Sequence, residues 1–64
     1  MADREYDLFE RASDSTVIWK CSVQGILAAE EKVSLLALLT DREVFAMFVG
    51  TKEIVACANA VRDN

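Results

Sequence analysis

The stretch Val-Phe-Ala-Met-Phe-Val at positions 44–49 is apolar at every residue. Successive side chains of a strand point to opposite faces, so such a run needs cover on both of its sides. A chain of 64 residues has little else to supply that cover. At this length folding removes only about 60% of the surface that the unfolded chain exposes, so the core is marginal by itself. That run therefore bears both on the fold and on whether copies of the chain associate.

The residues after it extend the pattern. Gly50-Thr51 interrupts the run, and Lys-Glu-Ile-Val-Ala-Cys-Ala follows at 52–58. A two-residue loop with glycine first suits a type II′ hairpin turn, which predicts φ > 0 at Gly50. The hairpin then pairs Val49 with Lys52, Met47 with Ile54 and Phe45 with Ala56 on one face. On the other it pairs Phe48 with Glu53, Ala46 with Val55 and Val44 with Cys57. A competing signal lies just upstream. Thr40-Asp41-Arg42-Glu43 has the spacing of a capping box, and Val44, Phe45, Phe48 and Val49 fit one helical face. The alternative fold is thus an N-terminal β-hairpin followed by three helices. The β-branched and aromatic residues on both sides of Gly50 favour the hairpin.

Residues 25–40 read as a helix. Ala, Leu, Glu and Lys dominate, and all are strong helix formers. Ile26, Ala29, Val33, Leu36 and Ala37 recur at helical spacing and form the expected core stripe, which Leu35 and Leu39 widen. Glu30, Glu31 and Ser34 lie opposite. Leu27 and Leu38 share that polar side, so the apolar surface of the helix extends beyond one stripe.

Residues 5–23 read as two strands around Ala12-Ser13-Asp14-Ser15, where Asp and Ser favour a turn. Tyr6 and Leu8 alternate with Asp7 and Phe9. Val17, Trp19, Cys21 and Val23 alternate with Ile18, Lys20 and Ser22. A four-residue loop pairs Leu8 with Trp19, and a two-residue loop pairs Leu8 with Cys21. Both place Tyr6, Leu8, Val17, Trp19, Cys21 and Val23 on the core face. A three-residue loop would set Asp7 beside Cys21 in the core and is rejected on that ground. Residues 1–4 and 61–64 are expected to be frayed ends.

The predicted architecture is α+β, in the order β-β-α-β-β, as one small domain over residues 1–64. The four strands form a mostly antiparallel sheet, and the helix packs on one face. The other face would hold Val44, Ala46, Phe48 and Val55, or their alternates, together with Phe9 and Ile18.

Composition narrows the function. Hydrophobic residues make up 53% of the chain, too many for a disordered segment. Seven Lys and Arg stand against 11 Asp and Glu, a net charge of −4, which opposes a general affinity for nucleic acid. With no His and two Cys there is no ordinary ligand set for structural zinc, and no metal or cofactor is expected. Cys21 and Cys57 lack CxxC spacing and are expected to be buried, reduced thiols, with no His in the chain to activate either; a single Cys21–Cys57 disulfide is the alternative. Glu30 and Glu31 are adjacent on a helix and diverge by about 100°, so they do not converge on one substrate atom. The isolated glycines form no phosphate-binding loop, and Asp3, Glu5, Asp7 and Asp14 lack EF-hand spacing. No catalytic residues are expected, and the chain is not expected to be an enzyme. The acidic N-terminal residues do not resemble a secretion signal, no membrane span is expected, and the expected location is the cytoplasm.

The leading functional expectation is a small self-associating module, most simply a homodimer joined through the face of Val44, Ala46, Phe48, Val55, Phe9 and Ile18. Another protein could take that place. An alternative is a nucleic-acid-associated or regulatory protein that uses the basic-aromatic set Phe9, Arg11, Ile18 and Lys20. A second alternative is a small-molecule binder or enzyme whose pocket forms between subunits.

Overall fold

The computed structural model describes residues 4–59. The chain is α+β, with β1 (Glu5–Arg11), β2 (Val17–Gln24), α1 (Ile26–Ala37), β3 (Glu43–Phe48) and β4 (Ile54–Ala58). All strand pairs are antiparallel, and the sheet order is β2-β1-β3-β4. The inner strands are thus β1 and β3, and the edges are β2 and β4. The expected frayed ends lie outside the described residues, apart from Arg4.

Helix α1 lies on one face of the sheet, chiefly over β3 and β4. Beneath it Tyr6, Leu8, Val44, Ala46, Ala29 and Val33 form the buried core, with Cys21, Val23, Leu36, Phe48, Ala56 and Ala58 packed against them. The helical stripe is narrower than its sequence suggests. Leu35 and Leu39 are exposed, as are Ile26, Leu27 and Leu38. The helix stops at Ala37, so Leu38 and Leu39 fall in the turn beyond it.

The first hairpin resolves a conflict between turn and strand. Next to the turn, Arg11 pairs with Val17, Glu10 with Ile18 and Phe9 with Trp19. This is the register rejected above, and carried further it would bury Asp7. A β-bulge prevents that. One extra residue, Lys20, lets Leu8 pair with Cys21 and Tyr6 with Val23. The turn keeps its geometry and the core keeps its apolar side chains. The correction falls on Trp19 and Val17. They pair with Phe9 and Arg11 on the face away from α1, not on the core face.

The second hairpin turns differently from expectation. Phe48 N–H donates to Glu53 O at 2.8 Å, and Lys52 N–H donates to Phe48 O at 2.7 Å, closing a loop over residues 49–52. The left-handed residue is Lys52, φ 63°, and not Gly50. Gly50 is constrained instead by space: a Cβ there would lie 2.8 Å from Cζ of Phe48. Met47 pairs with Ile54 as expected, but a bulge then shifts Ala46 to Ala56 and Phe45 to Cys57. The capping-box residue Thr40 starts no helix. Its Oγ1 accepts the N–H of Arg42 at 3.1 Å, and β3 begins at Glu43.

Only Gly25 separates β2 from α1. Its backbone, φ 92° and ψ 142°, is one that residues with a Cβ rarely adopt. Its N–H donates to Arg4 O at 2.8 Å, and its carbonyl accepts Ala29 N–H at 3.1 Å. In the first hairpin Ser15 holds φ 73°, a left-handed position that glycine fills without strain. Gly25→Ala should therefore destabilise by about 1–3 kcal/mol, whereas Ser15→Gly should be neutral or stabilise by up to ~1 kcal/mol. Denaturant unfolding of the two variants checks the opposite signs.

Candidate functional site: the open sheet face

The face away from α1 is built in rows across the strands. Cross-strand pairing places Trp19, Phe9, Phe45 and Cys57 in one row. Phe9 and Phe45 stack with centroids 5.4 Å apart and planes at 24°. The guanidinium of Arg11 sits 5.2 Å above the Phe45 ring. Between these two neighbours Phe45 is only 5% exposed, although no helix covers it. Trp19 ends the row at the β2 edge and is 57% exposed.

Polar pairs flank the row. On one side Arg11 Nε donates to Glu43 Oε1 at 2.9 Å. On the other, Ser22 Oγ donates to Asp7 Oδ1 at 2.5 Å. Beyond Asp7, Met47 and Ile54 continue the apolar surface. Arg11 and Glu43 are thus paired with each other and Asp7 accepts from a neutral hydroxyl, which gives the aromatic centre a polar border.

The expected association face is redistributed. Val44 and Ala46 are buried beneath α1, and Phe48 packs on the same side against Tyr6, with centroids 5.6 Å apart. Their alternates, Phe45 and Met47, lie on the open face with Phe9. Val55 is exposed at the β4 bulge. Ile18 pairs with Glu10, whose neighbour Leu8 marks the core parity. The parity of β3 could not be read from its sequence because both of its faces are apolar.

The same placement divides the basic-aromatic set. Phe9 and Arg11 share the open face, but Lys20 reaches Glu10 on the other side of the sheet, Nζ to Oε1 at 3.4 Å. Arg42 Nη1 approaches Glu10 Oε2 at 3.3 Å. Thr40 Oγ1 lies 3.5 Å from that oxygen. The Glu10 side chain is 11% exposed and joins β1, β2 and the α1–β3 loop. Sequence reasoning passed over it. Its signal was an acidic residue that continues the apolar inward parity of Tyr6 and Leu8. Glu10→Ala should lower stability by about 1–2 kcal/mol, because Lys20 and Arg42 are half-exposed and recover hydration when their partner goes. Thermal unfolding measures it.

A cavity of about 450 Å³ opens at the turn end of the sheet, lined by Arg11, Ala12, Ser13, Ser15, Asp41, Arg42 and Glu43. Both guanidiniums there are already engaged by carboxylates. In the adjoining turn, hydrogen bonds from Thr16, hydroxyl first and then N–H, hold the Asp14 carboxyl below the usual aspartate range. Among the described residues no group of three or more Cys, Asp or Glu is placed to hold a metal ion. None of the described helices is long and apolar enough to cross a membrane.

Both cysteines are free. Cys21 is half-buried, but Cys57 is exposed, contrary to expectation. It stands on an edge strand and pairs with Phe45 on the uncovered face. In the native protein Cys57 should react with a thiol reagent at least tenfold faster than Cys21, and unfolding should bring the two rates together; equal native rates would contradict this placement. Comparison of the chain with protein-family models, curated proteins and solved structures found no match.

Proposed function

We propose that this chain is a self-associating module and that its open sheet face is the contact, most simply in a homodimer. One observation carries the reading: an aromatic row crosses the uncovered face and ends in a Trp that is 57% exposed. Contact surfaces are enriched in Trp and other aromatics at their centres, with a polar rim around them. The rim here is satisfied from within by Arg11–Glu43 and Asp7–Ser22. Arg11, the cation beside the aromatic row, is therefore already matched by Glu43 and not available to select an anionic ligand. An identical face is a fitting partner, since two sheets can stack about 10 Å apart around a two-fold axis.

Magnitudes support a weak dimer. Full burial of one large apolar side chain contributes about 1.5–3 kcal/mol. Val17, Trp19 and Ile54 on the open face are each about half exposed, and two copies supply two sets. The sum is comparable with the lower part of the roughly 4–15 kcal/mol that association costs in lost freedom. The unpaired state of both thiols supports a reducing location such as the cytoplasm.

Trp19 is the only Trp in the chain and reports on this face directly. Its emission should move to shorter wavelength as concentration rises into the high micromolar range, in step with a rise in sedimenting mass. Met47→Lys should abolish the shift while preserving the far-ultraviolet circular dichroism. A protein that stays at 7.1 kDa with constant emission would refute the proposal.

A further inference from the structure

We infer that the free edge of β4 is a second contact, and that its occupant is β4 of another copy, paired antiparallel about a two-fold axis. The inference extends the self-association reading to a separate part of the molecule. It starts from the difference between the two edges. An edge strand offers unpaired backbone N–H and C=O groups, and proteins guard such edges with bulges and lysines. Strand β2 has both: the bulge between its pairings to Leu8 and Phe9, and Lys20 within it. Strand β4 is Ile-Val-Ala-Cys-Ala, with no charge and no proline. Its bulge lies at the Ile54–Val55 end, which leaves residues 56–58 in regular register with β3. Among the described residues, no backbone hydrogen bond ties residues 54–58 to anything but β3.

The composition of β4 selects a second copy as the occupant. Antiparallel self-pairing sets an uncharged strand against an uncharged strand, so no like charges meet across the ladder. Nothing in the strand would favour a charged peptide. Pairing also continues the open face. The row Trp19, Phe9, Phe45 and Cys57 ends at this edge, and the mate's row begins on the other side of the junction. Two four-stranded sheets then become one of eight strands, with the aromatic surface twice as wide.

Backbone amide exchange on the full, unmodified chain tests this, compared between low and high micromolar protein. Edge pairing predicts that exchange within residues 54–58 slows at least tenfold at high concentration while β2 amides change little. Face-to-face stacking alone would affect β2 and β4 alike or neither. Trp19→Lys, which removes the most exposed aromatic of the open-face contact at the β2 edge, far from β4, should keep the slowing. Three results overturn the inference: unchanged β4 exchange in a protein of dimeric mass, equal slowing in β2 and β4, or slowing that vanishes in Trp19→Lys. In each of these the open-face dimer still stands. A protein that remains monomeric, with unchanged exchange and emission, removes both.

Discussion

Strand β1 is hydrogen-bonded on both sides, to β2 and to β3, and its alternation determines what each face of the sheet contains. Tyr6, Leu8 and Glu10 point into the space beneath α1 and the loop after it. Asp7, Phe9 and Arg11 point away. The rows of the core follow from that parity, since each neighbouring strand must set apolar side chains beside Tyr6 and Leu8. The bulge at Lys20 shows how strong the requirement is. The tight turn after β1 imposes one register and the core imposes another, and the chain inserts a residue to satisfy both. The solution removes Trp19 from the core and places it in the row that the open face presents.

Much of the fold was legible because its signals were local. The helix formers at 26–37, the β-branched residues on both sides of Gly50 and the Asp-Ser turn each specify their element through propensity and sterics. The four strands and one helix follow from them. What was not legible depends on long-range choices. The alternation of Val17, Trp19, Cys21 and Val23 is unbroken in sequence, yet a bulge divides it in space, and a bulge leaves no mark on a period of two. Strand β3 is apolar at both parities, so only the packing of α1 decides which set is covered. The aromatic row was hidden for the same reason: its three aromatic members come from three strands, and their alignment depends on register.

Glu10 and Asn59 show how a small core is supplemented. Folding leaves the carboxylate of Glu10 nearly covered, with cations from two different segments around it. Asn59, in a left-handed conformation that Asn tolerates, donates from Nδ2 to Ala37 O at 2.9 Å and to Thr40 O at 2.8 Å. Those carbonyls lie at and just after the end of α1, where the helix provides them no partner. One side chain thus satisfies two acceptors and fastens the end of β4 to the end of α1. In a domain with so few buried side chains, such polar ties hold elements that apolar contact alone secures weakly. The exposed leucines of α1, with Leu38 at 82%, show how little of the helix the sheet engages.

The strand order has a consequence for how the chain assembles. Strands β1 and β2 are neighbours along the chain, as are β3 and β4, so each hairpin closes over a short loop at modest entropic cost. The seam between β1 and β3 is different: Tyr6 must find Phe48, and Arg11 must find Glu43, across the whole of β2 and α1. The seam is the non-local step, and contacts of that kind slow folding. It is also the step that brings Phe9 against Phe45 and completes the row on the open face. Until the hairpins join, each is a two-stranded ribbon with apolar side chains and unpaired edges, a form that is marginal in isolation. The open face therefore exists only after the non-local pairing within one chain, so folding precedes any recognition through it.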